Sequence, residues 1–464
     1  MKSLKLPLVA LSILASAIAQ AQEAPKYVFY MIGDGMAASQ RQVTEYYLQQ
    51  KMGDQSIRLT MSNMPVAGIN TTHSLDSLVT DSAASGTALA TGVKTDNGVI
   101  GMTKDGKKTV SILESAQQKG MATGLITTTR LTHATPSAFI AKNMSRNNEN
   151  EIADDYLASN IDYLAGGGYR HFVANAETRR TDNKDLLANF EQKGYQTFVG
   201  VNTTVSFRGY TPSKGDKVFA TFTPSHLPYE IDRMKTNDTP SLKEITDKGI
   251  ELLSKNDKGF FLMVEGGRID HAAHANDVAS VIYDTLAFDQ AIKSAVDFYH
   301  KHPKETLIVV TGDHETGGMG LGFGTNYFMN LDKIITTSDS IEDKLQKVYQ
   351  GDRKAFFNHI ANVYQLTDLT AEETALINQA MNAFDKDAAS AQKNAGGYDP
   401  VAIAVAHITS KRAGIYWTSF AHTATQLPLT AIGNGAEQFG GFKDNTEVAN
   451  AFADVMGLKI GVVQ

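Results

Sequence analysis

An α/β fold built on parallel strands is predicted by three features of the sequence. Four short apolar runs, Tyr27-Val-Phe-Tyr-Met-Ile32, Gly124-Leu-Ile-Thr-Thr-Thr129, Gly259-Phe-Phe-Leu-Met-Val264 and Thr306-Leu-Ile-Val-Val-Thr311, read as buried strands. Each leads towards a short polar segment that carries hard or borderline metal ligands, and α/β proteins place their active sites at the carboxyl ends of such strands. Helices with clear capping signals lie between the runs. With 464 residues, 42% of them hydrophobic, the chain can bury a large core.

Taken in chain order, residues 1–21 read as an export signal. Met1-Lys-Ser-Leu-Lys5 is a basic head, residues 6–19 are apolar, and both Ala17-Ile-Ala19 and Ala19-Gln-Ala21 fit the small-x-small cleavage pattern. The apolar part is too short to span a bilayer. The expectation is an exported protein, periplasmic or secreted, with no membrane span after signal removal and a single catalytic domain over 22–464. The chain has no cysteine, so it forms no disulfide. Net charge is −7 with no basic block, which argues against a nucleic-acid-binding module.

The first strand runs into Gly33-Asp34-Gly35. Thr80-Asp81-Ser82 reads as a turn, followed by a helix from about Ser82 with Gly92 as its C-cap. A serine at a helix N-terminus meets unpaired N–H groups and the positive end of the dipole, which suits phosphate. Read alone, Ser82 or Asp81 serves equally well as a helix cap. His133-Ala-Thr135-Pro136 follows the second strand, and Ser145-Arg146-Asn-Asn-Glu149 by itself reads as a solvated loop. The stretch from Gly166 to Pro228 gives no assignable pattern. Ser241-Leu-Lys-Glu244 is a capping box opening a helix through about Ser254.

The third strand enters Glu265-Gly-Gly-Arg-Ile-Asp270-His-Ala-Ala-His274, where Asp270 and His274, four residues apart, share a helix face and reach one ion. The fourth enters Gly312-Asp313-His314. Residues from about 324 to 414 read as a mostly helical, polar insertion over the crevice. Within it Thr370-Ala-Glu-Glu373 caps a helix with Leu376, Ile377, Ala380 and Phe384 on one face. His422 is read as a further strand-end ligand, with Trp417 packing near it. His171, His226, His300, His302, His359 and His407 read as surface or core residues.

The motifs Met31-Ile-Gly-Asp34-Gly, Thr80-Asp-Ser82-Ala-Ala-Ser, Thr91-Gly-Val-Lys-Thr95, His133-Ala-Thr135-Pro136, Ser145-Arg146, Val264-Glu265-Gly-Gly-Arg-Ile-Asp270-His-Ala-Ala-His274, Thr311-Gly-Asp313-His314-Glu-Thr-Gly-Gly318 and Trp417-Thr-Ser-Phe-Ala-His422-Thr occur in one order. In that order the chain resembles the alkaline phosphatases. The resemblance implies a three-layer α/β/α sandwich around a large, mostly parallel mixed sheet, with a small crown-like insertion. It implies hydrolysis of a broad range of small phosphate monoesters with two zinc ions and one magnesium, the third site also able to take zinc. Monomer and homodimer both stay open.

Carried over residue by residue, the resemblance implies Asp270, His274 and His422 as ligands of the first zinc, and Asp34, Asp313 and His314 as those of the second. Asp34 would also reach magnesium, with Thr135 and Glu265. Ser82 matches the phosphorylated serine, Arg146 the phosphate-binding arginine, and Asp81 the acid that holds that arginine. The best-studied enterobacterial members carry Asp and Lys where this chain has His133 and His271, whereas animal members tend to have His at both. His133 is therefore expected beside the magnesium site and His271 in the phosphate-binding region. Sulfatases of the same superfamily use a modified Cys or Ser with an arginine shortly after it, which this chain lacks. Diesterases commonly use Thr as nucleophile.

Overall fold

A computed structural model describes residues 23–463 apart from 175, 176 and 326. The export signal read in residues 1–21 lies outside the described residues. Ten strands form one sheet: β1 (Tyr27–Gly33), β2 (Val66–Asn70), β3 (Ala122–Arg130), β4 (Tyr163–Gly167), β5 (Tyr195–Val199), β6 (Lys217–Thr221), β7 (Phe260–Gly266), β8 (Thr306–Gly312), β9 (Leu427–Gly433) and β10 (Gly441–Lys443). Their spatial order is β10-β2-β9-β8-β1-β7-β3-β4-β6-β5. Only β9 runs antiparallel to its neighbours.

The four runs read as strands are β1, β3, β7 and β8, and they are the central neighbours of the sheet. Their continuous apolar character follows from burial on both faces. Tyr27, Phe29 and Met31 of β1 enter one hydrophobic core, while Val28, Tyr30 and Ile32 enter the other. Helices Ala38–Met52, Leu242–Leu253 and Val278–Tyr299 cover the first face. Helices Ser82–Thr91, Ile112–Gln118 and Asn445–Met456 cover the second. The result is the expected three-layer sandwich.

Register brings the ligand-bearing turns together. Gly33 lies opposite both Gly266 of β7 and Gly312 of β8, and Glu265 of β7 lies opposite Ile32 and Thr127. The turns at the carboxyl ends of these strands therefore open at one level. Three of the strands that the sequence left unassigned, β4, β5 and β6, form the far edge. The Gly-Gly end of β4 and the half-exposed pattern of β5 carry too little apolar alternation to read as strands.

The insertion is helical, as read, but it is not simply polar. Ile360, Ile377, Met381, Val401 and Val405 build a small core of their own. Helix Ala371–Lys386 opens on the expected capping box and buries Ile377 and Met381. Leu376, placed on its apolar face by the sequence, is 51% exposed instead, because the helix contacts its neighbours through a narrower stripe. Among the described residues no helix is long and apolar enough to cross a membrane.

The start of β7 depends on one glycine. Gly259 has φ +79°, and a Cβ there would stand 1.8 Å from the Lys26 carbonyl oxygen. That same oxygen accepts from the Phe260 N–H at 3.0 Å, so it cannot retreat freely. Gly259→Ala is expected to cost about 1–2 kcal/mol from the left-handed backbone alone, with the clash adding to it. A urea midpoint unchanged from wild type would contradict this.

Candidate active site

Asp34 and Asp313 stand just past β1 and β8, and Glu265 is the penultimate residue of β7; all three are buried. Asp313 is locked by its own turn and by the turn after β1, its Oδ1 accepting from His314 N at 2.9 Å and from Gly35 N at 3.1 Å. Thr135, on a four-residue helix after β3, places its hydroxyl 3.2 Å from Asp34 Oδ2 and 3.3 Å from Asp313 Oδ2. Thr127, opposite Glu265 in the sheet, holds Glu265 Oε2 through a short hydrogen bond.

Helix Arg268–His274 brings the next pair. Asp270 and His274 share a face as the spacing requires, with His274 Nε2 3.3 Å from Asp270 Oδ1. His422 departs from expectation. It does not end a strand of the main sheet but sits in a two-residue strand, His422–Thr423, pairing antiparallel with Glu315–Thr316 directly after His314. That ladder stacks the His422 ring on the His314 ring at 3.5 Å between centroids.

Ser82 and Arg146 complete the crevice. Ser82 is the first residue of helix Ser82–Thr91 and its Oγ lies 3.0 Å from His314 Nε2. Asp81 does both jobs that the sequence left open. Its Oδ1 caps the helix by accepting from Ala84 N at 2.9 Å, and its Oδ2 accepts from Arg146 Nη1 at 3.0 Å. Arg146, read alone as a loop residue, is thus aimed by a charged partner. Its other nitrogen, Nη2, donates to His133 Nε2 at 3.3 Å.

The electrostatics are those of a site short of positive charge. Burial and the charges of Asp313, Asp270 and Glu265 push Asp34 well above the usual carboxylate range. Burial pushes Glu265 up to about 8. Burial opposes ionisation of Asp270 and Asp313 as well, but facing histidines outweigh it and hold both below their usual range. Burial and His314 take His422 down to about 4, so its imidazole is neutral near pH 7.

The donor set fits metal cations. Asp34 Oδ1 and Glu265 Oε1 are buried without hydrogen-bond partners, which is costly for carboxylates unless a cation meets them. Histidine tautomers point the same way. His274 Nδ1 faces the Phe420 carbonyl at 2.6 Å and His422 Nδ1 faces the Thr80 carbonyl at 2.8 Å, so each carries its proton on Nδ1. Their two Nε2 lone pairs then confront each other at 3.1 Å, beside Asp270 Oδ1. His314 follows suit: Thr316 Oγ1 donates to Asp270 Oδ1 and is left to accept from His314 Nδ1 at 3.2 Å. Among the described residues, three groups of candidate ligand atoms each gather within 4.8 Å: Asp270, His314 and His422; Asp34, Asp313 and His314; and Asp34, His133 and Glu265.

His133, expected beside the magnesium site, and His271, expected in the phosphate-binding region, lie together, their ring centroids 5.5 Å apart. Burial and neighbouring cations hold both well below the usual histidine range. The sequence reading missed His226. Its ring lies 4.3 Å from that of His271 and 5.8 Å from that of His133, and it contacts Arg130. It comes from the loop after β6, a stretch without a recognisable motif, so no local signal marked it.

The family model for alkaline phosphatase matches residues 25–458. The chain is 36% identical to alkaline phosphatase 4 of Bacillus subtilis (strain 168), over 98% of this chain and 97% of that protein. It is similar in structure to the alkaline phosphatase of Thermus thermophilus, with a TM-score of 0.81 and 29% identity over 98% of this chain and 96% of that one. It is also similar to a histidine-to-aspartate mutant of TAB5 alkaline phosphatase with Mg bound in its M3 site. There the TM-score is 0.66 and the identity 27%, over 94% of this chain and 99% of that one.

Candidate ligands drawn from five separate segments, around Asp34, Thr135, Glu265–His274, Asp313 and His422, make any bound ion a cross-link across the crevice. A ligand that binds only the folded state stabilises it by about 2.7 kcal/mol at a hundred times its Kd. Exhaustive dialysis against EDTA is therefore expected to lower the melting temperature, and zinc with magnesium to restore it. A melting temperature indifferent to metal removal would show that these side chains bind nothing that matters to the fold.

Proposed function

We propose a two-step reaction for this chain, which belongs to the alkaline phosphatase family and is a phosphomonoester hydrolase: the phosphoryl group passes first to Ser82 and then to water. The observation that carries this reading is the placement of Ser82. Its hydroxyl stands at the positive end of a ten-residue helix, 3.0 Å from His314 and behind an arginine aimed by Asp81.

Asp270, His274 and His422 would hold one zinc ion, and Asp34, Asp313 and His314 a second. Asp34, Thr135 and Glu265, an all-oxygen set, would hold magnesium, with zinc as an alternative occupant. When bound, such ions lower the pKa of the serine hydroxyl and of water and offset charge on the departing oxygen.

The chain's own residues do the rest. Ser82 Oγ, its proton lost to solvent, attacks phosphorus opposite the ester oxygen. The P–O bond to the alcohol breaks, and the alcohol leaves with a proton from water. A water molecule then attacks phosphorus from the vacated side, the bond to Ser82 Oγ breaks, inorganic phosphate departs and Ser82 is reprotonated. Arg146 holds two non-bridging oxygens in its planar fork, which a lysine could not do. Asp81 keeps that fork facing the helix N-terminus, whose unpaired N–H groups favour the same oxygens. None of these groups reads the alcohol, so a broad substrate range is expected. The basic and apolar pattern of residues 1–21 supports export to the periplasm or medium.

Ser82→Ala is expected to abolish the phosphoenzyme and nearly all turnover of p-nitrophenyl phosphate without loss of fold. Wild-type enzyme in Tris should also yield phosphorylated Tris, since an alcohol can intercept phosphoserine. Full activity in Ser82→Ala would exclude the mechanism. A second expectation concerns His271. It is neutral here, so His271→Lys adds a charge near bound phosphate, and the inhibition constant of inorganic phosphate at about pH 9 should fall, with slower turnover where release limits the rate. Equal constants in the two enzymes would remove His271 from the phosphate region. His133→Asp is expected to slow magnesium loss during dialysis, because a carboxylate replaces a neutral ring beside Asp34. Faster or equal loss, read by metal analysis, would count against that placement.

A further inference from the structure

Arg268 is the first residue of the helix that carries Asp270, His271 and His274, and it is only 3% exposed. Its guanidinium lies 3.5 Å over the ring of Tyr229. Nη2 donates to Asp343 Oδ2 at 2.7 Å, and Glu342 stands 3.6 Å from Nη1 while accepting from the Tyr229 hydroxyl. Nη1 also faces His271 Nδ1 at 3.0 Å.

Asp343 and Glu342 belong to a strap at the root of the insertion, every residue of which is gripped by the body of the protein. Asp339 pairs with Lys235. Ser340 donates its N–H and its hydroxyl to Asp232 at 3.2 and 2.5 Å. Ile341 N donates to Asp277 Oδ2 at 2.8 Å. Five consecutive residues thus fix where the acids facing Arg268 stand.

A guanidinium only donates hydrogen bonds. His271 Nδ1 must therefore accept, and the ring proton sits on Nε2. A buried cation behind an imidazole polarises its remaining N–H and makes it a stronger donor. We propose that Arg268 is a positioning residue for bound phosphate: it fixes His271 in the Nε2–H tautomer and lends it the charge that the imidazole lacks, while the Asp339–Asp343 strap holds Arg268 in place. The inference rests on the reading of His271 as a phosphate-facing residue.

The test measures inhibition by inorganic phosphate of the metal-loaded enzyme in His271→Ala, Arg268→Gln, the double variant and Asp343→Asn. Histidine-selective ¹⁵N spectra report the His271 tautomer, and metal analysis accompanies each variant. Arg268→Gln and His271→Ala are each expected to weaken phosphate by about tenfold, the scale of one hydrogen bond to a charged group. The double variant should be no worse than the single ones, because both act along one path. Asp343→Asn, which leaves the metal-site helix untouched, should weaken phosphate in the same direction by a smaller factor and keep its metals. Should Arg268→Gln misfold, Asp343→Asn and the tautomer signal of the wild type decide the matter. Losses that add in the double variant, or a wild-type His271 protonated on Nδ1, would overturn the role of Arg268 while leaving the phosphate-facing reading intact. Unchanged phosphate inhibition in His271→Ala would defeat that reading, and this inference with it.

Discussion

The structure turns on the forced proximity of buried carboxylates at the carboxyl end of a parallel sheet. β1, β7 and β8 are in register, so Asp34, Glu265 and Asp313 arrive at one level whether or not their charges tolerate it. Like charges in a dry site are costly, and the suppressed ionisation of Asp34 and Glu265 expresses that cost. Cations reverse it. The same crowding of carboxylates is what suits these residues to a metal ion, which would give stability and chemistry one origin.

Several side chains each serve two parts of the crevice. Asp81 caps the helix that presents Ser82 and orients Arg146 with its other oxygen. Thr316 joins two ligand groups, donating to Asp270 while accepting from His314. The ladder that pairs Thr316 with His422 follows His314 by one residue, so a single short contact sets the His422 ring beside that of His314. Removing one such residue disturbs two functions, and single-site effects here should not add.

The helical insertion contributes from the side. Its small core makes it a rigid attachment to the sandwich, and its root is held by buried acids, Asp232 and Asp277, through hydrogen bonds to the backbone and to Ser340. Asp277 also caps helix Val278–Tyr299, which packs beneath the sheet. Position is therefore passed from the sandwich to the insertion and back to the metal-site helix through Arg268.

The central strands were legible in the sequence, because burial on both faces demands unbroken apolar runs, and most candidate ligands were marked there by the resemblance and by the helical spacing that sets Asp270 against His274. The capping boxes at Ser241 and Thr370 were equally legible, since they are local hydrogen-bond patterns. Other features depend on contacts that local pattern does not encode. The Gly-ended strand Tyr163–Gly167 is a strand only because neighbours pair with it. Leu376 is exposed because the insertion packs through a narrow stripe. His422 meets His314 through a two-residue ladder, and His226 joins the crevice from a loop without a motif. Arg146 and Asp81, ambiguous in sequence, are paired by a contact across 65 residues, which only the folded chain brings to 3.0 Å.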